Sequence, residues 1–578
     1  MKNSETSEIY IETKRAMERF TKDRISNVSW RDCLSQDPYY WLENSFQYSE
    51  NINVDDELHG IKLSQKVLTA NVCANCQLIS AWDHVFALDK QGTQNVKYFN
   101  KDNRTSPTTT SRTVPSGSAV KTVKGTIFQD YLRFWFNLTV PNIQAWAFKR
   151  GRVTWAGNAD IIIPQDHIES TDESISTYNQ AYGESHLMPW NITSILNYNN
   201  TRLVVGAGRE LRVYYPELDM TGTTQNWHTV AFGETGWKKV QQFEAGCNII
   251  ALTCDFQFLR VRVQDEGWNT KMFYYQGNND LRNTFVYNLV DLTNTKVLNV
   301  YPINWVDYFT ASLDGTDGYI TLNKITGTQS VQIFKQRAGL SQYDPSNKNG
   351  YFVWPTAIDS SYLDGAFYIA DYYGVFKFLY DPQGIDKGYL KWKFRSNHTS
   401  NTQPTGLTIC QNFLYVSDRE GIKRMRLYDT GVDGYQSKGI LVSREMEGNY
   451  GWCICKILDE VRCHFEFNHF TNSSSTGTID VYVSPNNLRE LYDPEVNSNG
   501  WIQVMHIDND SKGTRYEKTN TLNSLDDWKP AFETDRETIT YCVVIKSGGT
   551  SVQRTPAVRE IQMTYHTKGK TNNVYNIN

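Results

Sequence analysis

Short runs of alternating apolar and polar residues recur along most of the chain and are typical of β-strands. The stretch LDGAFYIADYYGVFKFLYDPQG (363–384) contains an apolar strand, a turn with Asp371 and Gly374, and a second alternating strand. The stretch CQNFLYVSDREGIKRMRLYD (410–429) repeats this order with Asp418 and Gly421. Each stretch predicts a β-hairpin, and we expect both aspartates to be surface turn residues.

Approximate copies of this hairpin are spread over the middle of the chain. We identify seven copies, whose first strands fall at 82–88, 152–155, 202–205, 248–253, 308–312, 366–370 and 413–417. The spacing of roughly 46 to 67 residues is that of four-stranded propeller blades with insertions. The pattern predicts a β-propeller over 65–440 with six to eight blades, seven being preferred. The low-complexity stretch TSPTTTSRTVPSGS (105–118) is interpreted as a loop.

The hairpin spacing stops near residue 440, and longer alternating strands follow. Five of them are separated by turn-rich linkers: GWCICKILDEVRCHFEFNHF, TGTIDVYVSP, GWIQVMHID, ETITYCVVIKSGG and AVREIQMTYHTK. Strands of this length and alternation are typical of a two-sheet antiparallel sandwich. We therefore expect a jelly-roll-like β-sandwich over 441–578, ending in a short C-terminal tail.

The first 64 residues show a different pattern. Residues 4–25 carry a narrow apolar stripe at helical spacing, formed by Ile9, Thr13, Met17 and Phe20, and predict a helix. Residues 30–64 are rich in aromatic side chains but show no period, which favours an extended arm. We expect 1–64 to be a docking arm that inserts aromatic rings into pockets of a partner. The alternative is that these rings pack on the propeller of their own chain.

The candidate partner-docking residues are the aromatic side chains of this arm. They are Tyr10, Phe20, Trp30, Tyr39, Tyr40, Trp41, Phe46 and Tyr48.

Composition narrows the classes of partner and compartment. The chain has 58 basic and 63 acidic residues, a net charge of −5, without a block of one sign, which argues against a nucleic-acid arm. Its first residues do not form an apolar signal region and no run of about 18 apolar residues occurs, so we expect neither a leader nor a membrane span. The ten cysteines lie mostly in strand-like runs and are expected to be reduced thiols, including the pair Cys73 and Cys76.

Three polar stretches are candidates for sites of chemistry. Residues 312–318 weakly resemble a sialidase Asp-box but suit a hairpin turn as well. His464 and Glu466 share one strand face while His469 points to the other, so a solvated face is expected. Residues 508–513 resemble half of a calcium loop but lack its closing Glu. No nucleophile elbow or phosphate-binding loop occurs, and we expect a protein without cofactor, metal or enzymatic activity.

Two stretches carry a resemblance to a known family. The segment ENINVDDELHGIKLSQKV (50–67), with HGIKLS ahead of a propeller, resembles the start of propeller-bearing tail proteins of tailed bacteriophages. The C-terminal GTIDVYVSP, GWIQV, TITYCVVIKSGG and TPAVREIQMTYH look like sandwich domains of such virion proteins. The resemblance covers the order of parts across most of the chain.

The resemblance implies a structural subunit of the tail nozzle or tail tip, made in the host cytoplasm and located in the virion. Its partners would be further copies of itself in a ring, other tail or portal-adaptor proteins, and DNA that passes without sequence-specific contact. Two alternatives stay open. One is a receptor module that binds host surface glycans, and the other is a propeller-type enzyme that degrades glycans.

Overall fold

The computed structural model describes residues 22–567, apart from short breaks and longer gaps at 35–43, 101–105, 114–119, 150–191, 220–234, 338–356, 394–403, 447–455, 468–476, 485–492 and 522–538. Every regular element within the described residues is a β-strand, and none is a helix. The expected all-β fold is confirmed.

Five strands precede the repeated part of the chain. They are β1 (Lys22–Asn27), β2 (Cys33–Leu34), β3 (Ser45–Glu50), β4 (Ile52–Asn53) and β5 (Ile61–Leu63).

The next strand, β6 (Val67–Ala70), precedes a series of small antiparallel sheets. The first two sheets are β7 (Cys76–Ala81), β8 (His84–Asp89), β9 (Asn95–Phe99) and β10 (Thr108–Thr113), then β11 (Val120–Phe128), β12 (Tyr131–Leu138) and β13 (Ile143–Lys149). The third and fourth are β14 (Ile192–Tyr198), β15 (Arg202–Ala207), β16 (Glu210–Asp219) and β17 (Thr235–Gln242), then β18 (Asn248–Cys254), β19 (Phe258–Gln264), β20 (Thr270–Gln276) and β21 (Phe285–Leu292).

Three further sheets complete the series. The fifth and sixth are β22 (Thr295–Ile303), β23 (Val306–Leu313), β24 (Tyr319–Thr326) and β25 (Gln329–Arg337), then β26 (Ala357–Ser361), β27 (Ala366–Ala370), β28 (Gly374–Leu379) and β29 (Lys387–Lys393). The last consists of β30 (Gly406–Cys410), β31 (Phe413–Asp418), β32 (Gly421–Arg426) and, from the far end of the series, β6.

The first strands of these sheets lie side by side around a closed ring. Strand β7 packs beside β11, and the same neighbour relation continues through β14, β18, β22 and β26 to β30, which packs against β7. Each sheet thus covers the apolar face of the next, as in a β-propeller. Strand β6 precedes β7 in the sequence but pairs with β32 of the last sheet. The ring is therefore closed by a strand from the opposite end of the repeat.

The repeat in the sequence follows these sheets closely, with two exceptions. The hairpins at 366–378 and 413–427 coincide with β27–β28 and β31–β32. The copy placed at 152–163 lies outside the described residues, and the second sheet of the ring is instead formed by residues 120–149. The predicted loop 105–118 is also wrong in part, because Thr108–Thr113 is the outer strand of the first sheet.

The remaining strands return to the beginning of the chain. They are β33 (Lys438–Ser443), β34 (Lys456–Phe467), β35 (Thr478–Ser484), β36 (Ile502–Asp508), β37 (Arg515–Thr521), β38 (Thr540–Lys546) and β39 (Pro556–Thr567). With β1–β5 they form two six-stranded sheets. Sheet S1 has the order β37-β34-β39-β5-β4, with β1 also paired to β39, and sheet S2 has the order β2-β3-β33-β38-β35-β36. The inner faces of S1 and S2 share one apolar core, so these strands form a β-sandwich.

This arrangement corrects the expected organisation of the N-terminal region. Residues 22–27 form strand β1 of S1, so the predicted helix over 4–25 is wrong at its C-terminal end, and residues 1–21 lie outside the described part. Residues 22–63 supply five strands to the sandwich and are not a separate arm. The sandwich is therefore interrupted by the propeller and resumes at Lys438.

The two connections between sandwich and propeller run side by side. Gln65 bridges to Tyr435, Lys66 N donates to Gly434 O at 3.0 Å, and Gln436 N donates to Ser64 O at 2.9 Å. We call residues 64–66 and 434–436 the neck. The sandwich core continues directly into the propeller, because Tyr308, Phe367 and Tyr389 belong to the same buried cluster as the sandwich residues.

Candidate functional site

The structure places three of the eight predicted docking residues, and all three lie in the interior of the sandwich. Trp30, Phe46 and Tyr48 are buried. The other five, Tyr10, Phe20, Tyr39, Tyr40 and Trp41, lie outside the described residues.

Phe46 and Tyr48 lie on β3, between β2 and β33 in sheet S2. A register shift between them sends Phe46 into the core shared with S1 and Tyr48 into a second apolar cluster with Val442 and Cys542. The Tyr48 hydroxyl donates to Glu50 Oε2 at 2.9 Å. The interpretation of these two rings as surface-docking groups is corrected, because Phe46 is buried in the core between the two sheets and Tyr48 is buried in the second cluster on S2.

Trp30 lies in the apolar core of the sandwich, on the segment where the chain crosses from β1 in S1 to β2 in S2. Its indole Nε1 donates to the hydroxyl of Tyr541 on β38 at 2.9 Å. Burial is the main cause that raises the pKa of Tyr541, so the hydroxyl stays protonated and the buried indole N–H has an acceptor. Its partner Tyr541 lies more than five hundred residues away in the sequence. The local pattern of apolar residues around Trp30 therefore gave no sign of this contact.

The segment that carries Trp30 is held on both sides. Strand β1 pairs antiparallel with β39 over six residues, from Lys22 opposite His566 to Asn27 opposite Ile561. Strand β2 pairs parallel with β3, with Cys33 opposite Ser45. We call β1, Trp30 and β2 the N-terminal clip. The surface that the clip covers is formed by the edge of β39, by Tyr541 and by β3, and we call it the clip groove. The clip groove is the candidate functional site.

The propeller meets the sandwich beside this region. Strand β29 of the sixth sheet packs against β2, β3 and β4. The amide oxygen Oδ1 of Asn53 accepts hydrogen bonds from the Tyr389 hydroxyl at 3.3 Å and from Lys391 Nζ. A buried ammonium group is therefore tied to the first strands of the sandwich, and this fixes the position of the propeller relative to them.

The aspartate of the last hairpin is not a surface turn residue. Asp418 is completely buried, and its carboxylate accepts from Lys423 Nζ and from the backbone N of Glu420, the latter at 2.9 Å. Its backbone carbonyl oxygen accepts a hydrogen bond from Asn75 N at 2.7 Å. Asn75 lies in the connection between β6, which closes the ring, and β7. The prediction for Asp418 was wrong because the turn is covered by residues around Ala70 to Asn75; Asp371 lies outside the described residues.

A second polar cluster lies on sheet S2. The imidazole of His506 on the edge strand β36 lies between two carboxylates, with Nδ1 2.5 Å from Asp480 Oδ1 and Nε2 2.6 Å from Asp508 Oδ1. Gln503 Nε2 also donates to Asp480 Oδ1, at 2.8 Å. The hydrogen bond to Asp480 is the main cause that raises the pKa of His506, so the imidazolium form is favoured.

On the same sheet, Lys438 and Lys546 lie directly opposite each other on β33 and β38. Lys438 Nζ contacts Asp493 Oδ1 at 2.8 Å and Glu495 Oε2 at 2.7 Å, and Lys546 contacts the other oxygen of Glu495. Burial acts to lower the pKa of Lys438, but the hydrogen bonds to Asp493 and Glu495 outweigh it and raise the value. The two acidic residues relieve the repulsion between the lysines and hold their loop on the sheet.

The other candidate stretches fit structural roles. Glu466 accepts from Arg559 Nε at 3.0 Å, and His464 Nδ1 lies 3.3 Å from Glu560 Oε2, on the outer face of S1. Asp508 ends strand β36, whereas residues 314–318, 509–513 and His469 lie outside the described part. The seven cysteines that the structure describes, Cys73 and Cys76 among them, are free thiols.

Within the described residues, no group of three or more His, Cys, Asp or Glu side chains is arranged to hold a metal ion. None of the described segments is a helix long and apolar enough to cross a membrane.

The chain resembles solved propeller structures in fold only. Virginiamycin B lyase from Staphylococcus aureus is 10% identical with a TM-score of 0.38, over 63% of this chain and 99% of that chain. The β-propeller domain of Nup133 from Vanderwaltozyma polyspora is 11% identical with a TM-score of 0.33, over 63% and 99%. Raptor from Chaetomium thermophilum is 10% identical with a TM-score of 0.38, over 64% of this chain, which spans 29% of the Raptor chain. The sequence matches no protein-family model and no curated protein.

Proposed function

We propose that the protein is a structural subunit of a bacteriophage tail, of the nozzle or tail-tip type, which assembles with copies of itself into a ring around the DNA channel. Its other partners would be tail or portal-adaptor proteins, and its place the virion. Besides the sequence resemblance, the proposal is supported by the way in which the two domains are joined.

The observation that carries the proposal is the double closure of the molecule. The propeller ring is closed by β6 from the start of the repeat, and the sandwich is closed by β1–β5 from before it. Both chain connections pass through the neck, where residues 64–66 are hydrogen-bonded to residues 434–436. A pull on either domain is therefore shared between two paired connections, which suits a subunit that works under mechanical force.

In this proposal the seven sheets formed by the described residues are the seven blades of the propeller, and the sandwich is the part that contacts neighbouring subunits. The net charge of −5 suits a ring that surrounds DNA without retaining it. A strongly basic wall would hold the polymer through phosphate contacts.

The test is mass spectrometry of particles purified from the source, combined with native mass spectrometry of the recombinant protein. The protein should be a stoichiometric component of the particles and should form closed oligomers. A protein absent from particles, monomeric at assembly concentrations and able to bind or hydrolyse glycans on an array would instead support one of the two alternatives.

A further inference from the structure

We propose that the N-terminal clip is exchanged between subunits, so that β1, Trp30 and β2 of one copy fill the clip groove of a neighbouring copy in the ring. This inference rests on the proposed homo-oligomer and identifies the surface that joins its members. The partner is a second copy of this chain, because the groove is complementary to a segment that every copy carries.

The clip groove is formed almost entirely by residues that are distant from the clip in sequence. Its walls are β39 and Tyr541 at the C-terminal end of the chain, and only Ser45 and Phe46 of β3 lie close to the clip in sequence. Strands β34, β38 and β39 pair with one another or with other sandwich strands independently of the clip. The groove can therefore be complete before any particular clip occupies it.

The clip binds as a strand and an anchor together. Six residues of β1 extend S1 along β39, and Ile25 packs against the sandwich core. Trp30 adds a large buried side chain with a satisfied indole N–H, a type of residue that dominates binding energies at protein interfaces. Arg24 Nη2 lies 3.9 Å from Glu560 Oε1 at the exposed side. This combination is that of β-strand addition with a side-chain pocket for specificity.

The connection from the clip to the rest of its chain is long enough for exchange. Ten residues, SQDPYYWLEN, separate Leu34 from Ser45, although these two strands are direct parallel neighbours. A ten-residue chain spans up to about 33–36 Å when extended, which far exceeds the spacing of about 4.8 Å between neighbouring strands. The length of the link therefore does not confine the clip to the groove of its own chain.

The contacts are the same whether the groove is filled by its own clip or by that of a neighbour. The choice depends on the effective concentration of the two clips and on the additional surface that neighbouring subunits bury. In a closed ring, each subunit donates one clip and receives one, so every groove is filled and every subunit is linked to two others.

The experiment uses full-length protein that carries Ser26→Cys and Gln562→Cys, two positions directly opposite each other in the β1–β39 pair. Ser26 is exposed, and the buried Gln562 Nε2 has no hydrogen-bond partner within the described residues, so the substitutions remove no hydrogen bond of that amide nitrogen. The assembled protein is oxidised, denatured and separated on a non-reducing gel, and the new disulfide is mapped. If the pair does not oxidise, Arg24→Cys with Thr564→Cys, another pair of the same register, replaces it.

A matched control carries Ala87→Cys and Lys97→Cys, which are paired within one hairpin of the first propeller sheet. If the clips are exchanged, the clip variant gives a ladder of covalent oligomers on the gel. The fraction of protein in these oligomers should be at least about tenfold higher than in the control variant and in the wild-type protein. The control should stay a monomer with an internal disulfide.

Native mass spectrometry before oxidation separates the two proposals. Rings that give only monomers on the gel, with a disulfide inside one chain between the two cysteines introduced at positions 26 and 562, would overturn clip exchange and leave the ring proposal standing. A protein that forms no closed oligomer at any concentration would overturn both.

Discussion

In the propeller, Phe413–Asp418 pairs with Gly421–Arg426 across a two-residue turn, whereas in the sandwich Asn27 pairs with Ile561. The first kind of pair forms from adjacent sequence, so each blade contains its own hairpin. The second kind forms only when the two ends of the chain meet. Local pairing makes the propeller recognisable as a repeat, and its one non-local link among the described strands is the closing strand β6. The sandwich has some local pairs, such as β4 with β5 and β35 with β36, but its two sheets are completed by non-local pairs such as β1 with β39 and β3 with β33. We expect substitutions at the non-local pairs to have the largest effects.

The largest effect is expected for Trp30→Ala, which removes the anchor of the clip from the sandwich core. Loss of a buried Trp side chain costs about 3–5 kcal/mol, and the Tyr541 hydroxyl also loses its donor. Chemical denaturation should show the sandwich unfolding before the propeller. Trp30→Phe, which keeps most of the volume, serves as the control and should cost clearly less. A loss below about 1 kcal/mol for Trp30→Ala would mean that the clip contributes little to the fold.

Gly421→Ala tests the closing strand of the propeller. Gly421 has φ of +134°, and an added Cβ would clash with the carbonyl oxygen of Ala70 on β6. The strained backbone and the contact with β6 should together lower the unfolding free energy by about 2–3 kcal/mol. Gly267→Ala is the matched control, because its Cβ would meet only the ends of the Asn269 and Asp265 side chains. Equal melting temperatures for both variants would contradict the role of β6 as the closing strand.

Asp418→Asn removes a buried charge from the last hairpin. Lys423 would lose its carboxylate partner on one side and keep Glu420 Oε2 at 3.1 Å on the other, so we expect a loss of about 2 kcal/mol. Glu420→Gln, at a partly exposed position, should cost about 0.5 kcal/mol or less. Urea denaturation of the two variants compares them directly, and an unchanged stability of Asp418→Asn would support the sequence-based interpretation of this residue as a surface turn.

A smaller effect is expected from pH at His506. Its pKa is raised in the folded protein above the ordinary 6.5 by Asp480 and Asp508. The stabilisation is therefore complete below about pH 6.5 and is lost as the pH rises through the folded-state value. Because the imidazole is about half exposed, solvent screening limits the change to roughly 0.5 kcal/mol. The difference in unfolding free energy between wild type and His506→Gln should shrink between about pH 6 and pH 8.5, and a constant difference would argue against this coupling.

The smallest effect is expected on the outer face of S1. Glu466→Gln weakens a partly exposed pair with Arg559, and such pairs contribute about 0–1 kcal/mol. The melting temperature should fall by no more than a few degrees, and less at high salt. A salt-independent loss of several kcal/mol would show that this face is covered by a further part of the chain.

Those parts of the fold whose partners are close along the chain could be predicted from the sequence. Alternation and turns with Asp and Gly located the hairpins at 366–378 and 413–427, and the change in pattern near 440 marked the return to the sandwich at Lys438. Each of these features is complete within about 20 residues, so its pattern of burial is visible in the local sequence.

The role of residues 22–63 and the positions of the buried polar groups became clear only from the packing of remote segments. Trp30 needs a pocket formed by Tyr541, and Asp418 is buried because a strand connection from the start of the propeller covers it. A sequence pattern shows on which side of a strand a residue lies, but not which distant segment covers that side. That information arises only when remote segments meet, and in this protein the meeting of the two end regions of the chain forms the sandwich.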